Sequence, residues 1–174
     1  MDGNNKKFSV RDIALIAILS TILFVQEQVL TFLPNIQLTV FLLVLYSKKL
    51  GFIRTTIIVI IHVLLDNLFM GSMNLVYTPA MFVGWMLIPI IICTLFKKTE
   101  SPFLLAIFGF IEGFLYSWMF ILPNYLLYNI NPLAYLASDV LFEFLLAISS
   151  FLSILFLYKY VSNYFDKLYI NYKH

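Results

Sequence analysis

The chain has 174 residues, of which 62% are hydrophobic and only 11% charged, with a formal net charge of +2. An average soluble domain is about half apolar and about a quarter charged, so this composition excludes a soluble enzyme or a nucleic-acid-binding domain and specifies an integral membrane protein. The lone cysteine, Cys93, excludes an internal disulfide and, inside an apolar run, reads as packing.

The leader MDGNNKKFSVRD is too polar to span a bilayer. No small-residue cleavage site follows the first apolar run, which therefore reads as a permanent helix. Breaks in hydrophobicity predict six transmembrane helices at about 12–32, 35–47, 52–69, 76–96, 103–122 and 132–158. Each boundary carries a turn residue or a charge: Pro34, the KKLG of 48–51, Gly71, the KKTESP of 97–102 and the PNYLLYNINP of 123–132. With no linker, repeat or low-complexity tract, 1–174 reads as a single all-α bundle. The second segment is short, since 35–47 as a helix reaches about 20 Å against a hydrocarbon core of about 30 Å.

Basic residues fall in clusters: Lys6, Lys7 and Arg11; Lys48, Lys49 and Arg54; Lys97 and Lys98; Lys159, Lys167 and Lys173. Six crossings put every cluster on one side, which by the positive-inside rule makes both termini of this cell-membrane protein cytoplasmic. The short second helix is then accommodated by snorkelling lysines or local unwinding. The tail KYVSNYFDKLYINYKH reads as an aromatic interface anchor with a solvated end.

The first helix, IALIAILSTILF, carries a small-residue stripe of Ala14, Ala17 and Thr21 with Ser20 beside it, a surface on which a partner helix can pack closely. Glu27 lies about 80° around the helix from it. Ser149 and Ser153 in AISSFLS offer a second such docking face, and GFIEG gives Gly109 and Gly113 the same spacing in the fifth helix.

Glu27, Asp66, Glu112, Asp139 and Glu143 lie within the predicted spans, without a lysine or arginine to pair with in the outer half. A carboxylate facing lipid costs several kcal/mol, so all must face the interior, a wet cavity, or carry a proton. His62 and Asp66 are four apart, as are Asp139 and Glu143, and each pair shares a helix face. Gln28, Gln37, Asn67, Asn74, Tyr77, Trp118, Asn124, Tyr128 and Asn131 surround them in the outer connections. Together they describe a pocket for a flat, polar organic molecule. Taken alone, His62 and Asp66 are equally compatible with a structural hydrogen bond at the end of the third helix.

No catalytic constellation accompanies this polarity. The chain has no G-x-x-x-x-G-K-[ST] phosphate loop, no H-E-x-x-H and no G-x-S-x-G. With His62 and His174 its only histidines, neither a metal site nor a cofactor is expected.

The short basic start, six predicted helices in fewer than 200 residues and the ALIAILSTI of the first helix resemble the S components of energy-coupling factor (ECF) transporters. That family's first helix presents an alanine, three residues, then a second alanine to a transmembrane coupling subunit. Ala17 matches the first position and Thr21 replaces the second alanine. The resemblance implies a vitamin-capturing subunit that topples in the bilayer, energised by a coupling subunit and two ATPase subunits. The acidic spans favour a cation or a donor-rich neutral cargo, such as a queuosine precursor, thiamine, a pyridoxine-like ring or cobalamin, over a polyanion. The alternatives are a stand-alone proton- or sodium-coupled carrier, an intramembrane enzyme using scattered carboxylates, and an assembly subunit.

Overall fold

A computed structural model describes residues 8–70 and 73–173, with side chains as far as 168. The predicted features at Lys6, Lys7 and Gly71, and the side chain of Lys173, lie outside the described residues. The first helix, α1 (Val10–Leu30), opens on a reciprocal cap: Ser9 Oγ accepts from the Asp12 backbone N–H while Asp12 Oδ2 accepts from the Ser9 N–H, both at 3.1 Å. It stops at Leu30, leaving 31–38 irregular, and α2 (Thr39–Leu50) follows. A single residue, Gly51, joins α2 to α3 (Phe52–Phe69), and its φ of 79° is a conformation that glycine adopts without a Cβ penalty.

α4 (Tyr77–Thr94) precedes α5 (Pro102–Trp118), which begins on a proline where no N–H partner is required. The predicted loop at 123–132 is corrected in part, because it largely forms α6 (Ile121–Tyr128), closed by Asn129 at φ 54°. Pro123 permits this because it sits in the first turn, where backbone N–H groups have no helical acceptor. The last helix, α7 (Pro132–Lys173), continues well past the predicted end at 158. The apolar run stops there, yet no glycine or proline follows to end the helix.

Among the described residues, five segments are long and apolar enough to cross a membrane: Val10–Leu30, Phe52–Phe69, Tyr77–Thr94, Pro102–Tyr128 and Pro132–Leu168. The second predicted segment, at 35–47, forms α2, which has 12 residues, about 18 Å, and occupies the centre of the bundle instead of its perimeter. Every residue from Thr39 to Ser47 is buried, and α2 packs against α1, α3, α4, α5 and α7. A helix apolar all round is one with no polar surroundings to face, as its position requires.

The most extensive contact joins α5 to α7. A Cβ on Gly113 would lie 2.7 Å from the Ala147 backbone, and one on Gly109 would collide with Ile154. The small-residue spacing in GFIEG thus serves this internal interface. Ile13, Ile18, Val29, Phe69, Ile111, Leu133 and Phe156 are among the apolar side chains left on the outside.

Ion pairs gather the charged helix ends together. Arg54 Nη2 lies 2.9 Å from Asp12 Oδ1, joining the starts of α1 and α3, and Lys49 reaches Asp166 near the end of α7 at 2.7 Å. Lys48 Nζ donates to the carbonyls of Phe96, Lys97 and Thr99 at 3.2, 2.9 and 2.7 Å and lies 3.2 Å from Glu100. The ends of α2, α4 and α7 therefore meet the starts of α1 and α3 at one basic end.

Candidate functional site

At the far end, α1 and α3 run side by side and bring three acid or imidazole groups together. His62 and Asp66 project from consecutive turns of α3, and Glu27 approaches from the last turns of α1. His62 Nε2 lies 3.2 Å from Glu27 Oε2 and 3.5 Å from Asp66 Oδ2. One ligand atom from each of the three side chains lies within 4.8 Å of the others. His62 is fully buried, Asp66 is 4% exposed, and neither nitrogen of the His62 ring makes a hydrogen bond of acceptable geometry.

The neighbours of this trio are amides and a hydroxyl. Gln28 Nε2 donates to Asp66 Oδ1 at 3.2 Å, which fixes the carboxylate so that its other oxygen faces the imidazole. Gln26 Nε2 donates to Thr39 Oγ1 at 2.8 Å, while Gln26 Oε1 accepts from the Leu38 N–H at 2.9 Å, holding the start of α2 against α1. The Thr39 hydroxyl lies 3.3 Å from Glu27 Oε2 and 3.0 Å from Gln37 Oε1, and can donate to either. Ser149 Oγ donates to the Gln37 carbonyl at 3.2 Å and Asn35 donates to the Phe142 carbonyl, so α7 closes the irregular segment from the other side.

Above the trio is a cleft of about 220 Å³ whose lining includes Glu27, Thr31, Asn35, Gln37 and Met70. Glu27, at 25% side-chain exposure, is the one member of the trio that reaches it. Pockets for drug-sized molecules run from about 300 Å³ upward, so this cleft suits a smaller occupant.

The other predicted site residues separate into distinct groups. Tyr77 donates to Asn124 Oδ1 at 2.9 Å, and the Tyr77 ring packs near Phe120 and Tyr128, tying α4 to α6. Tyr135 donates to Asp139 within α7. Asn67 bonds within α3 and to Met81 and Thr78 of α4, while Asn74 and Asn131 accept backbone N–H groups at the starts of α4 and α7. These asparagines therefore have local structural work. Trp118, 46% exposed, touches Phe114 on the outside of the bundle.

Glu112 is fully buried with neither carboxyl oxygen hydrogen-bonded, and Glu143 is buried on α7. Of the predicted docking residues, Ala14, Ala17 and Thr21 form an exposed stripe on α1, with the Thr21 hydroxyl returned to the Ala17 carbonyl. Ser149 is half-buried, its hydroxyl on the Gln37 carbonyl, and Ser153 is buried with its hydroxyl on the Ser150 carbonyl of the same helix.

An aromatic wall connects the two polar regions. The His62 ring lies 6.2 Å from Trp85, Trp85 stacks on Tyr116 at 3.8 Å, and Tyr116 meets Phe120 edge-on at 5.2 Å. Gln26, Thr39, Trp85 and Tyr116 were not predicted as site residues. The run QEQ at 26–28 carried a signal for Gln26, while the other three owe their place to helix packing alone. No protein-family model, curated protein or solved structure matches this chain.

Proposed function

We propose that the chain is the substrate-capture subunit of a membrane importer of the ECF type, taking up a small cation or a compact neutral molecule rich in N–H and O–H donors. The supporting observation is the convergence of Glu27, His62 and Asp66 beneath a cleft at the end of the bundle opposite the basic residues. Acceptors so placed attract a cation and repel an anion. The cleft volume favours compact cargo over cobalamin. Partner ATPases would supply the energy, since the chain has no phosphate-binding loop. The exposed Ala14, Ala17 and Thr21 stripe suits the coupling subunit, and the basic end suits the cytoplasmic side.

The test is gentle purification from the native host, with mass spectrometry of bound small molecules and accompanying proteins. A small cationic or donor-rich ligand with a coupling protein and two ATPases is expected, and Ala17→Trp should lose those proteins while keeping the ligand. Recovery of the chain alone, without ligand, would overturn the reading. A second reading, an independent proton- or sodium-coupled carrier, draws on Glu112, whose unpartnered carboxyl lies inside the bundle. Uptake by liposomes containing only this chain would select it.

A further inference from the structure

We infer that Glu27, His62 and Asp66 form a binding site for a divalent ion of the first transition row, held by one imidazole nitrogen and two carboxylate oxygens. Metal bonds of about 2.0–2.2 Å at tetrahedral angles put donor atoms about 3.4 Å apart. Here His62 Nε2 is 3.2 Å from the Glu27 oxygen and 3.5 Å from the Asp66 oxygen, so the nitrogen already stands from each oxygen at the separation an ion between them would impose, and the two oxygens lie within 4.8 Å of each other.

Charge and hydrogen bonding point the same way. Two carboxylates converge where no described lysine or arginine forms an ion pair with them, and a divalent ion balances both. The His62 ring, fully buried, turns Nε2 toward these oxygens without making a hydrogen bond to either. A buried nitrogen facing two carboxylate oxygens in that manner is a lone pair directed at a shared cation. The Gln28 amide holds Asp66 through Oδ1 and leaves Oδ2 for the ion, the outer support that metal ligands characteristically receive. The nitrogen donor favours zinc, cobalt or nickel over magnesium and calcium, which take oxygen. Through Glu27, the remaining coordination positions face the cleft, where water or donor atoms of a captured molecule complete the set.

The inference deepens the capture reading and rests on it for treating the cleft as the entrance, but metal affinity is a property of the isolated chain. The full chain, purified in detergent and stripped with chelator, is titrated with Co²⁺ by visible absorption and then with Zn²⁺ in competition. One ion per chain is expected. Glu27→Gln and His62→Gln should each weaken binding by more than about 100-fold, and Gln28→Ala by about 10-fold. Cooperative unfolding of the metal-free variants shows that the fold survives, and Glu27→Gln, partly exposed, carries the test where His62→Gln does not fold. Absence of saturable binding to the folded wild-type chain, or equal affinity in Glu27→Gln, overturns the inference. Stoichiometric metal on a chain that recovers no ATPases keeps the site and removes the importer reading. A metal-blind chain that recovers them does the reverse.

Discussion

The two ends of the bundle treat charge in opposite ways. At the basic end, Lys48, Lys49 and Arg54 each find a carboxylate, and Lys48 also satisfies three carbonyls left by the end of α4 and the turn after it. At the far end, Glu27 and Asp66 face the same imidazole and, among the described residues, no lysine or arginine, and the Gln28 amide and the Thr39 hydroxyl stand beside them. The basic end is complete as it stands and closes the structure. The far end gathers two acids around one imidazole, an arrangement that the proposed cation site would use. Proteins tolerate this kind of local cost where binding recovers it.

Three substitutions sharpen the contrast. The largest effect is expected for Lys48→Met, which strips a nearly buried ammonium from three acceptors; a loss of about 2–3 kcal/mol should appear in thermal unfolding. Glu27→Gln should move stability the other way in the presence of chelator. It gains about 1 kcal/mol, the repulsion of two charges within 4.8 Å of each other at the dielectric of water. A destabilised Glu27→Gln would mean that the trio is a structural clasp like the one at the opposite end. The smallest change belongs to Asp12→Asn, which keeps an α1 cap but weakens the partly exposed pair with Arg54. A double-mutant cycle with Arg54→Met should return less than about 1 kcal/mol of coupling.

How much of this was legible in the sequence follows from the range of the interactions. The helical bundle, the buried acids and the His62–Asp66 pair depend on composition and on spacing within one helix, and these were readable. That Glu27 joins that pair depends on α1 lying against α3, a contact between distant parts of the chain with no periodic signature. The same holds for Thr39, Trp85 and Tyr116, which reach the site because α2 and α4 pack beside α3 and α5 packs against α4. Gln37 was readable as polar, but its attachment to Ser149 needed α7 to arrive from far along the chain. At Asn74 and Asn131 the side chains accept nearby backbone N–H groups, short-range bonds that polarity alone did not foretell. The helix ends were misread where a proline was tolerated in a first turn, as at Pro123, and where helix outlasted hydrophobicity, as beyond Tyr158.

The burial of α2 has a consequence for how the molecule sits among lipids. A perimeter helix must match the thickness of the hydrocarbon around it, by tilting or by deforming the bilayer. α2 has protein on every side, and the carbonyl and N–H of Gln37 and the N–H of Leu38, in the irregular backbone before it, bond to side chains. Non-helical chain at that depth is permissible only under such cover. The irregular segment that lines the cleft is thus held by the chain's own internal scaffolding, so membranes of different thickness can reshape the perimeter while leaving the depth of the cleft unchanged.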